Sequence, residues 1–357
     1  MRILVVTDLW HPTVNGTVRM IEQINRQLEA MGHEIVVIGP RQFQTVPFPG
    51  DPEVIVALHP EKTIGPMMLA ARPDAIHLWT AGPVGVAARN ILGRRNIPFT
   101  SSYVTKLPEY MQARFGVPMA KTFTTLRIFH KISRCVMVPS AGIIDELKAR
   151  GFGNNMKLWW AGTDTELFRP REKSFLDLPR PIHLNVGRVT IEKNLEAFLK
   201  LALPGSKLVV GDGPERARLQ TQFPKAHFVG VKQGEELAKH YAAADVFVFP
   251  SRTDTLGLVM MESLAAGVPV AAFPVTGPNE VIADSGAGVL HEDLGKAIEA
   301  ARKIDPALCR AYALRFSWAQ SARDFLANLA PLKGSVATQG RPGDRQEQPG
   351  DAPDLLD

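Results

Sequence analysis

The stretch 245–270 is the feature that most constrains how this chain of 357 residues can fold. Residues 246–249 form a short apolar run of the kind found in strands buried in parallel sheets. A polar loop at 252–255 follows, and a helix is predicted from about 256 to 266, ended by a Gly-Val-Pro sequence. The apolar run 268–273 predicts the next strand. The stretch therefore predicts a β–α–β unit of an α/β protein.

The start of that helix is a predicted anion site. The first turn of a helix has free backbone N–H groups and a partial positive charge, and in open parallel sheets it lies where ligands bind. A phosphate placed over Leu256, Gly257 and Leu258 would be stabilised there, and Gly257 would let it approach closely.

Two carboxylates bracket this helix start. Asp254 precedes it and Glu262 follows eight residues later, a separation of about 12 Å along a helix axis. One ligand could touch both acids, with a sugar at one end and a ribose at the other. The alternative is that Asp254 only caps the helix and Glu262 is only a solvated helix residue.

Composition is that of an ordinary globular protein, with 45% hydrophobic and 22% charged residues, and the length suits two domains. No apolar run is long enough to predict a transmembrane helix, and residues 1–8 predict a first strand rather than a signal peptide. Two distant cysteines exclude a disulfide framework, so a cytoplasmic location is expected. A net charge of +5 favours anionic ligands or an anionic membrane surface, and no nucleic-acid-binding motif is found.

The alternation of strands and helices predicts two domains that face each other across a cleft. The first covers residues 1–170, the second covers 171–315, a C-terminal helix covers 316–332, and a disordered tail covers 333–357. Strands are predicted in the first domain near 2–7, 34–38, 53–57, 75–79, 99–103 and 136–138, and in the second near 182–186, 208–210, 228–231 and 245–249.

Gly16, at the start of the first helix, can present N–H groups to a phosphate, although a lone glycine there is more often structural. The Gly-x-Gly-x-x-Gly fingerprint of dinucleotide-binding proteins does not follow the first strand, which argues against an NAD-dependent dehydrogenase. His77 lies inside an apolar strand and is predicted to be a core histidine.

The segment 111–134 combines basic and apolar residues at helical spacing. Such a helix could rest on an anionic bilayer as a peripheral membrane contact. The alternative is a half-buried helix of the first domain.

Arg188 and Lys193 flank one strand-to-helix loop of the second domain. Each alone is typical of a solvated surface, but five residues apart they could clamp a diphosphate. The segment 228–237 is predicted to hold a nucleotide base through backbone groups, with Val231 among them. No Asp-x-Asp pattern suited to a metal follows a strand, so no metal and no cofactor are predicted.

Together these motifs resemble glycosyltransferase family 4, the retaining GT-B enzymes. Asp254 to Val270 resembles the family's acid–seven residues–acid motif, with Asp254 where the family usually has Glu. The Gly187-Arg188 to Asn194 stretch and the Asn15-Gly16-Thr17-Val18 loop also resemble family motifs. The resemblance covers about residues 2–330 and implies a GT-B fold, with two Rossmann-like parallel-sheet domains and a C-terminal helix that packs back on the first.

The resemblance also implies roles for the candidate residues. Arg188 and Lys193 would neutralise the leaving nucleoside diphosphate without a metal, as catalytic residues together with Asp254. Asp254 and the amides that follow it, at Thr255, Leu256, Gly257 and Leu258, would hold the sugar hydroxyls, and Glu262 would hold the ribose. Gly16 and Thr17 would close over the donor diphosphate, and Val231 would lie near the base.

One position departs from the family. The stretch 100–110 resembles a family segment whose active-site histidine would fall at position 104, where this chain has Val104. The departure motivates the alternative of a nucleotide-sugar-binding protein without transfer activity.

The second domain looks most like the sulfoquinovosyl- and glycosyl-diacylglycerol synthases, while other segments look as much like α-mannosyltransferases of the same family. The first hypothesis is a retaining, metal-independent transferase that moves a hexose from UDP-glucose, UDP-glucuronate or UDP-galactose to a lipid or glycan acceptor such as diacylglycerol. It would lie in the cytoplasm, peripheral on the inner face of the membrane. The alternative donor is GDP-mannose.

Overall fold

A computed structural model describes residues 1–11, 13, 15–49, 51–253 and 257–332. The strands are β1 (Arg2–Val6), β2 (Glu34–Ile38), β3 (Thr45–Phe48), β4 (Asp51–Ala57), β5 (Ala75–Leu78), β6 (Thr100–Ser102), β7 (Cys135–Val138), β8 (Met156–Leu158), β9 (Ile182–Val186), β10 (Ser206–Val210), β11 (His227–Phe228), β12 (Val246–Phe249), β13 (Val270–Ala272) and β14 (Gly288–Leu290).

The α-helices are α1 (Gly16–Ala30), α2 (Ile64–Ala70), α3 (Pro83–Arg94), α4 (Leu107–Phe115), α5 (Met119–His130), α6 (Ala141–Ala149), α7 (Leu195–Leu199), α8 (Arg216–Gln222), α9 (Gly234–Ala243), α10 (Leu258–Ala265), α11 (Thr276–Ile282), α12 (Leu294–Ala301), α13 (Pro306–Ala313) and α14 (Trp318–Asn328).

Two six-stranded parallel sheets organise the molecule. The first has the order β2-β1-β5-β6-β7-β8, and the second has the order β11-β10-β9-β12-β13-β14. Their central strands are apolar on both faces because helices cover both sides; β12, for example, is buried along its whole length. The predicted pair of Rossmann-like α/β domains is confirmed. We call the elements around the first sheet the first domain and those around the second sheet the second domain.

One predicted strand does not belong to the first sheet. The strand expected at 53–57 lies in β4, which pairs antiparallel with β3 as a hairpin, with Thr45 opposite Ala57. Only two residues of the chain separate β3 from β4. A parallel return needs a crossover of about a dozen residues or more, so strands joined by a short turn pair antiparallel instead.

Other boundaries shift by one to three residues. The strand predicted at 228–231 is observed as β11, and the helix predicted from 256 is described from Leu258 because Gly257 has left-handed backbone angles, with φ at +79°. The predicted tail 333–357 lies outside the described residues. The domain boundaries at 170/171 and 315/316 stay predictions.

Helix α14 packs on the first domain although it follows the second in sequence. The Phe325 ring stacks on Trp79 with centroids 5.5 Å apart, and Trp159 Nε1 donates to the Ser321 carbonyl at 2.9 Å. The hydroxyl of Ser317 caps this helix by accepting the Gln320 N–H at 3.2 Å.

His77 is a core histidine, as predicted. Its ring nitrogens lie 2.8 Å from Thr100 Oγ1 and 2.8 Å from Ser102 Oγ, and its side chain is fully buried. Burial, with a smaller contribution from the nearby His130, lowers the pKa of His77 to about 3.

No helix in the described part of the chain combines the length and the apolar character needed to cross a membrane.

Candidate active site

The carboxyl edge of the second sheet carries two loops that are joined through their backbones. The loop after β9 contains Arg188, and the loop after β10 contains Gly211. Val189 N donates to the Asp212 carbonyl at 2.8 Å, and a Cβ on Gly211 would lie 1.9 Å from the Gly187 carbonyl oxygen. Only glycine fits at position 211, so the two loops form one fixed surface.

The loop of the two predicted cations is also fastened to the loop after β12. Asn194 Nδ2 donates to the Pro250 carbonyl at 3.1 Å, and the Glu192 carbonyl accepts from Thr253 Oγ1 at 3.4 Å. Lys193 ends a helical turn that starts at Ile191. Burial lowers the pKa of Arg188, against the field of Glu192. The structure therefore brings the predicted diphosphate loop against the loop that leads to the first acid.

The first acid itself, Asp254, lies outside the described residues, as do Thr255 and Leu256. Their predicted roles stay predictions. Gly257 is described and stands immediately before α10 with φ at +79°, and Leu258 is half-buried. Gly257 has no side chain that could cap α10, and its predicted contact with a ligand stays a prediction.

The second acid, Glu262, is buried on α10 with 9% of its surface exposed. Its Oε2 accepts the hydroxyl of Tyr241 at 2.8 Å, and its Oε1 lies 3.5 Å from Arg19 Nη1. Burial raises the pKa of Glu262, while Arg19 and Tyr241 act against that rise. Glu262 is therefore neither solvated nor unpartnered, and the alternative of a plain surface residue is wrong.

The opposite wall of the cleft is the start of α1. Asn15 Oδ1 accepts the Val18 N–H at 2.9 Å and so caps this helix, and a Cβ on Gly16 would have no atom within 4 Å. The hydroxyl of Thr17 lies 3.5 Å from that of Thr105. Because Arg19 of the same helix contacts Glu262, the predicted residues Gly16 and Thr17 share one cleft with Glu262.

Two further polar contacts join the domains. Arg114 of α4 lies 3.1 Å from Glu192 of the cation loop, with 9% of each side chain exposed. Glu280 of α11 accepts the backbone N–H groups of Ala141 at 3.3 Å and Gly142 at 2.6 Å, at the start of α6. Helices of the first domain thus contact three second-domain elements at the sheet edge, namely the cation loop, α10 and α11.

Two single positions complete the predicted set. Val231 is 53% exposed and follows Gly230, whose carbonyl accepts the Gly211 N–H at 2.8 Å. The backbone of Val231 therefore lies beside the loop after β10. Val104, where the family histidine was expected, is 7% exposed and packs in the main hydrophobic core. It has no group that could transfer a proton.

No metal site is evident in the described ranges, where no three His, Cys, Asp or Glu side chains lie close enough to hold an ion. Metal-independent transfer stays a prediction.

Sequence reasoning missed Arg19, Tyr241 and Arg114. Arg19 stands one helical turn after Gly16, which is a weak signal by itself. Its role, like that of Arg114, depends on contacts between the two domains, which local patterns do not report.

Comparisons with known proteins agree with this arrangement. Residues 14–167 match the family model described as Glycosyltransferase Family 4, and residues 168–325 match the model described as Glycosyl transferases group 1. The sulfoquinovosyl transferase SQD2 of Arabidopsis thaliana is 31% identical over 77% of this chain, and the chain spans 60% of that protein's length.

A GDP-mannose-dependent alpha-mannosyltransferase of Mycobacterium tuberculosis is 30% identical, over 95% of this chain and 99% of the relative. The structure of a sucrose-phosphate synthase from Thermosynechococcus elongatus superposes with a TM-score of 0.72 at 22% identity, covering 91% of this chain and 97% of that one. The last likeness concerns the GT-B fold alone. With two family models that cover consecutive halves and a relative matched along nearly its whole length, the chain belongs to glycosyltransferase family 4.

Proposed function

We propose that the protein transfers a hexose from a nucleoside diphosphate sugar, UDP-glucose, UDP-glucuronate or UDP-galactose, to a lipid acceptor such as diacylglycerol. The observation that carries the proposal is the cleft at the second sheet's carboxyl edge. There the Arg188–Lys193 loop is fastened to the loop after β12, and the buried carboxylate of Glu262 lies nearby on α10. Cations suit the diphosphate, and a carboxylate suits the ribose hydroxyls.

In the proposed reaction the bond between the sugar's anomeric carbon and the diphosphate breaks, and the acceptor oxygen forms a new bond on the same face. Arg188 and Lys193 stabilise the negative charge that develops on the departing diphosphate, in place of a metal. Asp254 and the amides after it hold the sugar hydroxyls. The acceptor's proton passes to the leaving phosphate oxygen. No side chain at position 104 is therefore needed to accept this proton. Neither acid is assigned as a covalent nucleophile, and the configuration is retained.

A lipid acceptor is supported by an outer surface of the first domain. Helix α5 buries Phe123, Leu126 and Phe129 but exposes Ile128 by 55%, and Ile132 beyond it is 40% exposed. Their exposed cationic neighbours are Lys121, Arg127, Lys131 and Arg134. Within the segment 111–134, α5 and the residues just after it form an outward basic and apolar face, whereas Arg114 of α4 contacts the second domain instead.

An open depression of about 490 Å³ adjoins this face and is lined by Arg89, Arg94 and Ile132, with Asn90 and Gly93. Apolar side chains beside cations favour peripheral attachment to the anionic inner face of the cell membrane. Sedimentation with phosphatidylglycerol vesicles tests the attachment. An I128S/I132S variant should lose it, and the matched variant L308S, at a residue of α13 that is 54% exposed, should not.

GDP-mannose is the second candidate donor. The mannosyltransferase relative is named for that donor and matches the chain along nearly its whole length. Transfer from a UDP-sugar to diacylglycerol does not account for this likeness. Base recognition by backbone groups near Val231 fits either nucleotide.

The deciding experiment supplies radiolabelled UDP-glucose, UDP-glucuronate, UDP-galactose and GDP-mannose separately to the protein with diacylglycerol vesicles. Label entering the lipid phase is counted for the wild type and for the R188M, K193M and D254N variants. K225M is the matched control, because Lys225 is an exposed lysine of the same domain. Label from a UDP-sugar that R188M and K193M lose and K225M keeps supports the first proposal.

The other outcomes are equally decisive. Label from GDP-mannose alone would favour the mannosyltransferase. Donor hydrolysis without lipid labelling would overturn the lipid acceptor and leave the transferase. UDP or GDP binding with neither labelling nor hydrolysis would leave a nucleotide-sugar-binding protein, as Val104 suggests. If neither UDP nor GDP bound, both the transferase and the nucleotide-sugar-binding protein would be ruled out.

A further inference from the structure

One ion pair across the cleft has no place in the proposed transfer step. Arg19 reaches from α1 of the first domain to Glu262 on α10 of the second, with 3.5 Å between Nη1 and Oε1. The exposed fraction is 30% for the Arg19 side chain and 11% for that of Glu262. The pair is therefore shielded from solvent. Charges shielded in this way interact more strongly than charges at an open surface.

The two oxygens of Glu262 are used unequally. Oε2 accepts a hydrogen bond of 2.8 Å from Tyr241, while the distance of 3.5 Å between Oε1 and Arg19 is that of an ion pair without a tight hydrogen bond. An ionised carboxylate has about four acceptor positions. Arg19 thus balances the charge of Glu262 while leaving acceptor positions on Oε1 for a ligand hydroxyl.

We propose that Arg19 is a nucleotide-positioning residue that acts through Glu262: from the opposite domain it keeps this buried carboxylate ionised and aimed at the ribose. The inference rests on the proposed function, in which Glu262 accepts the ribose hydroxyls. Because Arg19 and Glu262 belong to different domains, the first domain supplies the countercharge of the ribose acceptor on the second.

The charged and titratable groups that face Glu262 fix the direction of the effect. They are Arg19 on α1, Tyr241 on α9 and Asp164 in the segment between the domains, while Arg310 of α13 bonds the Ala265 carbonyl at the far end of α10. Burial raises the pKa of Glu262, Arg19 opposes that rise most, and Asp164 adds to it. Removing Arg19 therefore raises the pKa further, and the carboxylate is lost at a higher pH than in the wild type.

Calorimetric titration with UDP, and in parallel with GDP, at pH 6 and pH 8.5 tests the inference. R19M should weaken nucleotide binding about tenfold at pH 6 and clearly less at pH 8.5, because the carboxyl is protonated more readily at the lower pH. R19K restores a cation and should recover most of the loss at pH 6. R26M removes the same charge from an exposed position of α1 and should bind as the wild type does.

A further pair of variants shows whether Glu262 carries the effect. In E262Q the carboxyl no longer titrates, so adding R19M to it should cause no additional pH-dependent loss. Melting temperatures identify variants that fold; should R19M fail to fold, R19Q, which also removes the charge, takes its place at pH 6 and 8.5.

Equal affinity of R19M and the wild type at both pH values would overturn the inference, and so would an equal loss at both, which a merely structural role predicts. Failure of the wild type to bind either UDP or GDP would overturn the proposed function and this inference together. Binding by the wild type without an Arg19 effect would overturn this inference alone.

Discussion

The carboxyl edges of the two sheets differ in the groups that lie beside the helix starts. In the first domain Asp8 stands in the loop after β1 and accepts hydrogen bonds from the Thr80 hydroxyl at 2.8 Å, the Val84 N–H at 2.6 Å and the Gly82 N–H at 2.9 Å. In the second domain Gly187 follows β9 and Gly257 precedes α10, and neither glycine has a side chain.

The difference shows which edge is available to a ligand. Asp8 places a carboxylate from the chain itself at the start of α3, where the helix N–H groups would otherwise attract an anion. Burial raises the pKa of Asp8, while its hydrogen bonds act in the other direction. At the second sheet no described side chain occupies the start of α10. We expect a diphosphate from outside to take the place that Asp8 takes in the first sheet.

The largest difference between the two domains is expected in their stability at acid pH. Burial lowers the pKa of His77 and of His130 to about 3, so the unfolded chain binds more protons between pH 3 and 6.5. Stability falls as the pH drops through this window, by about 1.4 kcal/mol per pH unit for each histidine. In the described part of the second domain, burial also lowers the pKa of His183, on β9.

Hydrogen exchange at pH 4 to 7 should therefore show the first domain opening before the second. H77N should reduce this acid sensitivity, and H227N, at an exposed histidine, should leave it unchanged. Simultaneous opening of both domains would break the comparison.

The next largest effect is expected at Gly211. Its φ is +139°, and an added Cβ would lie 1.9 Å from a backbone carbonyl that cannot move aside. G211A should destabilise the second domain by about 3 kcal/mol or more and abolish nucleotide binding. Urea denaturation measures the loss against G65A, where the Cβ would make an ordinary 3.4 Å contact in α2.

Removing the carboxylate of the first edge should act on stability and spare the nucleotide. D8A leaves the N–H groups of Val84, Gly82 and Gly85 and the Thr80 hydroxyl without their acceptor, at a cost of about 2 to 3 kcal/mol. D8N should lose about half as much. An unchanged unfolding midpoint in D8A would contradict the assigned role, and a folded D8A that no longer bound UDP would place Asp8 in the donor site.

The smallest effect on stability is expected at Gly257. G257A adds a Cβ 2.8 Å from the flexible end of Met260 and 3.0 Å from Phe249, at a left-handed backbone position. We expect a loss of about 1 to 2 kcal/mol in stability, together with a larger loss in UDP affinity. G257A/M260A relieves part of the crowding; full recovery of affinity would mean that the approach of a phosphate to Gly257 is unimportant.

Much of the fold followed from local patterns. Apolar runs of buried parallel strands and glycine-ended helices predicted most strands of both sheets, because each of these strands is a short apolar segment between turns. The edge strands β8 and β14 were not predicted. The strand at 53–57 was placed wrongly since its pairing depends on the length of the preceding connection. A period-2 pattern does not distinguish an antiparallel hairpin from a parallel sheet.

The site was predicted in part for a similar reason. Gly16, Arg188, Lys193 and Glu262 carry motifs along the sequence, and the structure places Gly16 and Glu262 in one cleft and Arg188 and Lys193 in one loop. Arg19 and Arg114 act through partners more than 70 residues away, which no local pattern encodes. Asp8 was not among the predicted site residues, yet its hydrogen bonds fix the start of α3.

The return of α14 to the first domain sets the order in which the protein can mature on the ribosome. Trp79 and Trp159 are synthesised early, but Phe325, which packs against both, emerges only after all of the second sheet. The aromatic face of the first domain, formed by Trp79 and Trp159, therefore stays uncovered while the second domain is translated and folds. Chaperone engagement during synthesis should accordingly concentrate on the domain that is made first, and it should end when the last helix docks.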